Sequence, residues 1–224
     1  MERAVVLMSG GMDSCVTATL ATKSREVWAL HARYGQRTEE RELRAFTDLC
    51  EHFHMPPSRR LVCDLSFYGK IGGSALIDRS IDMPEGGEEV RATPSTYVPF
   101  RNALLLSIAV AWAESVGAGK VFIGAMQEDA AGYPDCRKEF IASFNDMVRL
   151  GTREETDVEI VSPFIDKTKA EVVVEGMKLG APFHLTWACY SSCGPAPCMK
   201  CLSCIKRKRA FEEAGFQDPL VSLK

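Results

Sequence analysis

Short apolar runs alternate with longer amphipathic segments along most of the chain. Ala4–Met8 is a continuous apolar run, the pattern of a strand buried on both faces, and a helical pattern follows it. The same alternation continues to about residue 180. It predicts strands over Ala4–Met8, Glu26–His31, Arg60–Asp64, Lys120–Ala125 and Val158–Ser162, and helices over Asp13–Lys23, Glu39–His52, Asn102–Val116, Arg137–Leu150 and Lys167–Leu179.

Strands and helices that alternate at this spacing predict one parallel sheet with helices on both faces. We therefore expect an α/β, Rossmann-like, doubly wound fold whose ligands bind at the carboxyl ends of the strands. Residues 66–97 are rich in Gly, Pro and charges, and they predict an irregular excursion over the surface. From about residue 182 the pattern changes to Cys, Pro and Gly. We expect an α/β domain over residues 1–181 and a small appendage over residues 182–224.

Composition and charge narrow the class of protein. Of the 224 residues, 46% are hydrophobic and 25% are charged, which excludes a disordered chain, a fibre and a membrane channel. A net charge of −3 argues against a generic basic nucleic-acid binder. The apolar run Ala4–Met8 is too short for a secretory signal, and Ala103–Ala113 is too short to span a bilayer. We expect a cytoplasmic protein with no membrane or nucleic-acid partner.

Nine cysteines form the most unusual feature of the composition, because an odd number cannot all pair within one chain. In a reducing compartment, cysteines point to metal binding or catalysis. Cys189, Cys198, Cys201 and Cys204 have the spacing Cys-x8-Cys-x2-Cys-x2-Cys, and four thiolates give tetrahedral zinc a closed, structural site. A four-iron cluster is the alternative. Cys193 is either a spare ligand or, in our interpretation, a bystander.

The loop Ser9–Ser14, with the sequence Ser-Gly-Gly-Met-Asp-Ser, joins the first strand to the first helix. Its two glycines allow a tight turn and a close approach of a ligand to the backbone. Loop amides and the free N–H groups of the helix start then form an anion site, most often for phosphate. A simple capped turn is the alternative. The loop lacks both the Gly-Lys-Ser/Thr of a Walker A motif and the third glycine of a dinucleotide fingerprint.

Three cations lie where they can neutralise a bound phosphate. Arg101 precedes one predicted helix, and Lys167 and Lys169 begin another. The helix dipole disfavours lysines at a helix start, so an anionic ligand would explain them, although a solvated first turn is the alternative. The run Lys206–Arg209 can contact phosphate or RNA, but we interpret it as a solvated helix face.

Several stretches of the sequence resemble known families. The loop Ser9–Ser14 resembles the pyrophosphate loop (PP-loop) of the N-type ATP pyrophosphatases, which cleave ATP to AMP and pyrophosphate and adenylate a substrate oxygen. From about residue 4 to 219 the chain resembles the QueC family of 7-cyano-7-deazaguanine synthases. Two positions depart from the family pattern. Many members have His at the position of Thr38, and many have Thr or Ser at the position of Cys15. The stretches that carry the resemblance are Val5–Ser14, Tyr34–Arg37, Val98–Asn102, Gly132–Arg137, Ser162–Phe164, Lys167–Glu171 and Thr186–Tyr190, with the closing cysteines.

The resemblance implies an ATP-dependent carbon–nitrogen ligase of queuosine biosynthesis. Such an enzyme converts 7-carboxy-7-deazaguanine and ammonia, by adenylation and through an amide, to 7-cyano-7-deazaguanine. The resemblance also implies an adenine nucleotide α-hydrolase-like fold, structural Zn²⁺ at the four cysteines, ATP with Mg²⁺, and a homodimer. A tRNA-thiolating PP-loop enzyme with a metal or iron–sulfur site is the alternative, and a zinc-ribbon interaction module on a degenerate nucleotide fold is a second.

Roles for individual residues follow from the resemblance and from the chemistry. A carboxylate suits the N1–H and 2-amino donors of a deazaguanine, and an aromatic ring suits its face, while a plain turn is the alternative for these residues. Cys136 is interpreted as structural. The predicted catalytic residues are Ser9, Asp13, Ser14, Arg101 and Lys167; the predicted ATP-binding residues are Leu7, Met8, Ser9, Gly10, Gly11, Met12, Asp13, Ser14 and Cys15; the predicted substrate-binding residues are Asp129, Tyr133, Asp135 and Arg137.

Overall fold

The computed structural model describes residues 1–84, 93–191 and 196–220. Within these residues, five strands form one parallel sheet, and no helix is both long enough and apolar enough to cross a membrane. The strands are β1 (Glu2–Leu7), β2 (Arg25–Arg33), β3 (Arg60–Asp64), β4 (Lys120–Phe122) and β5 (Glu159–Val161). The helices are α1 (Met12–Thr22), α2 (Glu39–His52), α3 (Tyr68–Ile71), α4 (Arg101–Val116), α5 (Gln127–Ala130), α6 (Lys138–Gly151), α7 (Lys169–Leu179) and α8 (Leu202–Glu213).

The order of the strands places the ligand-binding edge of the sheet. The chain lays β2 and then β3 on one side of β1, and later adds β4 and β5 on the other side, which gives the order β3-β2-β1-β4-β5. The winding direction therefore reverses between β1 and β4. In open α/β sheets, ligands bind in the crevice that this reversal leaves at the carboxyl ends of the strands. The predicted doubly wound parallel fold is confirmed.

The first strand is apolar throughout because both of its faces are covered. Val5 and Leu7 pack in the layer formed with α4 and α6. Ala4 and Val6 alternate with them and pack in the layer formed with α1 and α2. Successive side chains of a strand point to opposite faces, so a strand between two helical layers needs apolar residues at every position.

The elements differ from the sequence prediction at one interior strand, in the segment after β3 and near the C-terminus. Strand β4 ends at Phe122 rather than Ala125, although the Ile123 N–H still donates to the Val161 carbonyl oxygen at 3.0 Å. The excursion over residues 66–97 contains the short helix α3, and the C-terminal appendage contains α8. Helix α8 packs on the body of the protein, where the Phe211 ring lies edge-on to Phe183 at 5.2 Å. The apolar face of α8 could not be recognised in the sequence because cysteines and basic residues are interspersed with it.

The basic run at residues 206–209 divides between the interior and the surface. Arg207 is buried, and it donates to Asp218 at 2.7 Å and to the Thr186 hydroxyl at 2.6 Å. Lys208 and Arg209 instead form ion pairs with glutamates one turn later on the surface of α8. Buried Arg207 thus holds α8 to the preceding segment, and removal of Asp218 would leave its charge uncompensated.

Close packing between α1 and α7 predicts that Gly176→Ala destabilises the fold. A Cβ at position 176 would lie 2.3 Å from the Phe183 ring and 2.7 Å from Val16. We expect the free energy of unfolding, measured with urea, to fall by about 1–3 kcal/mol. The control is Gly151→Ala at the end of α6, where a Cβ meets nothing within 4 Å. Equal stability of the two variants would contradict the packing described for α7.

Candidate functional site

Two adjoining cavities open at the carboxyl ends of the central strands. The first, of about 190 Å³, is walled by residues that end β1, β2 and β4, among them Leu7, His31 and Gly124. The second, of about 260 Å³, extends from it toward the C-terminal segment at Trp187. Both cavities share Asp13 and other residues of the loop Ser9–Ser14, so they form one site at the reversal of the sheet.

The loop Ser9–Ser14 is held by backbone contacts that require glycine. Gly10 has a φ of +85°, and a Cβ there would lie 2.7 Å from the Glu42 carbonyl oxygen of α2. On the other side, the Trp187 N–H donates to the Gly10 carbonyl oxygen at 2.9 Å. Any side chain at position 10 would push α2 away from the loop. The hydrogen bond from Trp187 to Gly10 means that the C-terminal segment also helps to fix the loop.

Hydroxyl groups and free amides line the start of α1. The Ser9 Oγ accepts a hydrogen bond from the Gly11 N–H at 3.2 Å and lies 3.2 Å from the Ser14 Oγ, which donates to the Gly11 carbonyl oxygen at 3.0 Å. Gly11 is the N-cap of α1, and it has no side chain that could occupy the first amides of the helix. Those amides and the helix dipole make this end of α1 a site for an anion.

Lys169 forms a largely buried ion-pair cluster with two carboxylates beside the loop. Its Nζ lies 3.2 Å from Asp13 Oδ2 and 3.5 Å from Asp129 Oδ1. Burial lowers the pKa of Lys169, but the two carboxylates outweigh burial and raise it, so the ammonium stays charged. Burial raises the pKa of Asp13, and Lys169 offsets this only in part. Asp13 Oδ1 has no hydrogen-bond partner among the described residues, which leaves it available to a further cation.

Arg101 supplies a second buried cation to the site. It lines both cavities, donates to the Tyr34 hydroxyl at 2.9 Å, and lies over the Tyr34 ring at 5.3 Å. Burial lowers the pKa of Arg101, but the hydroxyl of Tyr34 and the carboxylate of Asp135 raise it above its ordinary value. Within the described residues, the Arg101 Nε has no hydrogen-bond partner, so one donor of the guanidinium is unused.

Aromatic side chains form the outer wall of the second cavity. Tyr133 and Tyr190 both line it, and the Tyr133 hydroxyl lies 2.8 Å from the Thr96 hydroxyl. The Tyr97 ring lies 6.1 Å from the Tyr133 ring. Burial raises the pKa of both cavity-lining tyrosines, so each stays a neutral phenol. With Asp129 beside them, these rings offer a flat ligand a stacking face and an acidic edge.

Besides Gly10, four of the residues predicted for the site lie outside the walls of these two cavities as the structure describes them. Cys15 is fully buried in the layer under α1, because the helix turns it away from the loop. The Asp135 carboxylate accepts the Asn102 N–H at 2.8 Å. Arg137 is exposed at the N-cap of α6. Lys167 precedes α7, whereas Lys169, two residues later, reaches the loop.

The remaining predicted residues line the two cavities, apart from Gly10, whose backbone shapes the loop. They are Leu7, Met8, Ser9, Gly11, Met12, Asp13, Ser14, Arg101, Asp129 and Tyr133.

Other wall residues were not assigned a role from the sequence. Tyr34, Trp187 and Tyr190 lie in stretches that carried the family resemblance, so their pattern held a signal that was not used. The pattern around Glu42 held no signal, because it is one of several acidic residues on an amphipathic helix and such residues usually form a solvated face. Cys136, interpreted as structural from the sequence, also lines both cavities, and burial raises the pKa of its thiol to about 12.

The four predicted ligand cysteines come together as a candidate metal centre. Their Sγ atoms all lie within 4.8 Å of one another, close to the separation of about 3.8 Å that tetrahedral zinc gives four thiolates. Backbone N–H groups point at the sulfurs: Cys198 donates to Cys189 Sγ at 3.2 Å and Tyr190 donates to Cys201 Sγ at 3.4 Å. Such donors stabilise thiolates, so the cluster can hold a metal ion. Cys193 lies outside the described residues.

The Asp135 contact predicts a structural effect for Asp135→Ala. Asn102 lies in the first turn of α4, whose N–H groups have no partner within the helix, and Asp135 supplies one from another segment. We expect the substitution to lower the free energy of unfolding, measured with urea, by about 1–2 kcal/mol. Asp135→Asn keeps an acceptor and should lose less. Loss of activity with unchanged stability in both variants would instead place Asp135 in ligand recognition.

Comparison with known proteins identifies the family of the chain. The family model described as queuosine biosynthesis protein QueC matches residues 3–215. The 7-cyano-7-deazaguanine synthase of Chlorobaculum parvum is 50% identical over 221 residues, which are 97% of this chain and 95% of that protein. The synthase of Chlorobium chlorochromatii is 49% identical over 219 residues, with 97% and 95% covered. The structure of NMN synthetase from Francisella tularensis is 16% identical, with 96% of this chain and 78% of that chain covered and a TM-score of 0.49. The chain belongs to the QueC family.

Proposed function

We propose that this protein is an ATP-dependent ligase that makes 7-cyano-7-deazaguanine from 7-carboxy-7-deazaguanine and ammonia. One observation carries the proposal: a phosphate-binding loop and an acidic, aromatic chamber adjoin in a single site. The loop Ser9–Ser14 suits the phosphates of ATP, and the chamber at Asp129, Tyr133 and Tyr190 suits a flat, donor-rich base. The relatives of about 50% identity bear the name of this activity.

The reaction needs activation because a carboxylate is a poor electrophile. Its oxygen attacks the α-phosphorus of ATP, pyrophosphate leaves, and the acid becomes an acyl adenylate. Ammonia then attacks the carbonyl carbon, loses a proton, and expels AMP to give the amide. A second ATP adenylates the amide oxygen in the same way, and loss of AMP with the two amide protons leaves the nitrile. Both activations release pyrophosphate, so one phosphate site can serve both steps.

The site must stabilise the negative charge that develops on the leaving pyrophosphate. The first amides of α1 and the loop would bind it, while Lys169 and Arg101 lie at the same place as buried cations that need no reorganisation. Asp13 and Asp129 would hold Mg²⁺, because carboxylate oxygens are its preferred ligands and Asp13 Oδ1 lacks a partner among the described residues. When bound, Mg²⁺ neutralises charge on the phosphate oxygens.

A direct assay tests the proposed function. Purified protein is incubated with ATP, Mg²⁺, an ammonium salt and 7-carboxy-7-deazaguanine, and the products are identified by mass spectrometry. We expect the nitrile, with AMP and pyrophosphate as the only products of ATP. No turnover of this acid, together with ATP-dependent modification of tRNA, would refute the proposal and favour the tRNA-modifying alternative.

Lys169→Met should reduce kcat/KM by about 100-fold or more, because it removes a buried cation beside the pyrophosphate site. The matched control is Lys178→Met on the same helix, at an exposed lysine paired with Glu175. Circular dichroism checks that both variants fold. Lys167→Met tests whether the other lysine near the start of α7 contributes to turnover. If it abolished turnover and Lys169→Met did not, the assignment of Lys169 would be wrong.

We propose further that the four-cysteine cluster binds structural Zn²⁺ and that residues 182–224 act as a metal-held appendage to an ATP-binding part over residues 1–181. The four sulfurs lie close enough for one tetrahedral ion. Each cysteine of a four-iron cluster binds a different iron, so its sulfurs would lie farther apart. The backbone N–H of Tyr190 donates to Cys201 Sγ at 3.4 Å, which favours a thiolate at this ligand.

Metal analysis and one cysteine substitution test this proposal. We expect one zinc per chain and a colourless protein. Cys201→Ala should lose the zinc and lower the melting temperature, because the metal would join Cys189 to the start of α8. Cys63→Ser, at a partly buried cysteine of β3, is the control and should keep the zinc. A brown protein that contains iron, or a Cys201→Ala variant of unchanged stability, would contradict structural zinc.

The proposed partners are small molecules and a second copy of the chain. Support for a homodimer comes from an apolar groove of about 520 Å³ between α3, α4 and α6, where Phe67, Phe100 and Met147 are exposed. Burial of such a groove in a second copy is favourable. Sedimentation velocity measures the oligomeric state. A cytoplasmic location is proposed because a reducing compartment keeps cysteine ligands as thiolates.

A further inference from the structure

Glu42 lies where the two cavities of the site meet. It belongs to α2, it is half-buried, and it lines both cavities. Its backbone packs against the loop Ser9–Ser14, since a Cβ at Gly10 would lie 2.7 Å from the Glu42 carbonyl oxygen. Burial raises the pKa of Tyr34 to about 12, and the Glu42 carboxylate acts in the same direction while Arg101 opposes it. The carboxylate therefore lies near the Tyr34 hydroxyl, on the inner side of α2.

Two buried neutral donors fix the Glu42 carboxylate. The Thr38 hydroxyl donates to Oε1 at 2.6 Å, and Gln36 Nε2 donates to Oε2 at 3.0 Å. The Gln36 amide is held in this orientation because its own Oε1 accepts the Tyr34 N–H at 2.8 Å. Each oxygen of a carboxylate can accept two hydrogen bonds. Glu42 thus has a fixed direction and one further acceptor position on each oxygen.

Neutral donors leave the negative charge of Glu42 without a counter-ion. Three carboxylates line both cavities, and two of them, Asp13 and Asp129, pair with Lys169. Glu42 forms no ion pair with any residue that the structure describes. Arg101, the cation that lines both cavities, donates to a tyrosine hydroxyl instead. A partly desolvated charge gains most from a partner of opposite sign, so this junction suits a bound cation.

The chemistry of the site indicates which cation binds. Ammonia is mostly protonated in neutral water, and the ammonium ion, like the head group of a lysine, has only N–H donors. It therefore complements oxygens that only accept. Mg²⁺ prefers several oxygen ligands in a near-octahedral arrangement and is bound together with phosphates, which suits Asp13 and Asp129. The nitrogen must also reach an acyl carbon beside the phosphates, and the junction is the part of the site that both cavities share.

We propose that the Glu42 carboxylate binds the ammonium ion that supplies the nitrogen of the nitrile. This inference rests on the proposed function, because it requires the acyl adenylate to lie across the junction. Bound there, the ion loses one proton to water, and the resulting ammonia attacks the carbonyl carbon as described above. Glu42 is thus a binding residue for the nitrogen substrate and not for ATP or the acid.

Steady-state kinetics of Glu42→Gln are the first test. The substitution keeps the shape of the side chain and removes its charge, so the KM for ammonium should rise at least about tenfold, the effect of one charge-assisted hydrogen bond. The KM values for ATP and the acid should change less than about twofold. Glu40→Gln, at an exposed residue of the same helix, is the matched control and should match the wild type. An unchanged KM for ammonium would refute the role of Glu42.

A neutral nucleophile is the second test. Hydroxylamine is largely uncharged at neutral pH and captures an acyl adenylate as the hydroxamate, so it does not need a cation site. We expect Glu42→Gln to change the rate of hydroxamate formation less than about twofold. Glu42→Asp keeps the charge and should raise the KM for ammonium less than Glu42→Gln does. Equal losses with ammonium and with hydroxylamine would show that Glu42 supports adenylation or the loop, and would overturn the proposal.

The two proposals fail in different ways. A wild-type protein that makes neither nitrile nor hydroxamate from the acid and ATP would refute the proposed function. A wild-type protein that makes both, together with a folded Glu42→Gln variant of unchanged kinetics, would refute the ammonium site alone. Circular dichroism and the urea midpoint check that each variant folds.

Discussion

Close approach of backbone segments around the loop Ser9–Ser14 is the constraint on which the rest of the site depends. Position 10 lies against the carbonyl of Glu42, and a Cβ at position 124 would lie 3.0 Å from the backbone of Asp13. Glycine at both positions lets α2 and the end of β4 come within contact of the loop. The loop is thereby surrounded by protein on several sides, and its amides converge at the crevice that the reversed strand order creates.

Burial of charge is the second organising feature. Lys169 and Arg101 come from different helices, and each is held by partners inside the site rather than by water. A buried cation with fixed partners is already oriented when negative charge develops on a leaving group, so little reorganisation is needed. The same burial is destabilising if a partner is lost, because the remaining charge is then uncompensated.

The cysteine cluster and the loop Ser9–Ser14 are physically linked through the segment Thr186–Tyr190. Its Trp187 N–H bonds the loop at Gly10, while the Tyr190 N–H bonds Cys201 Sγ and the Tyr190 ring lines the second cavity. The buried ion pair of Arg207 and Asp218 fixes the adjoining helix. A metal that holds the cysteines would therefore also hold one wall of the chamber, although no cysteine of the cluster lines either cavity as described.

The sequence by itself determined the parallel α/β fold, the glycine loop between β1 and α1 and the four-cysteine set, because each depends on local spacing: apolar periodicity, two glycines after a strand, and thiols separated by two residues. Tertiary structure alone decided which neighbours face the ligand. Lys169 rather than Lys167 reaches Asp13, and Asp135 turns to the start of α4. Those outcomes depend on the direction of a side chain at the end of a helix or strand, where one or two residues along the chain reverse the face, and packing between distant segments sets that direction.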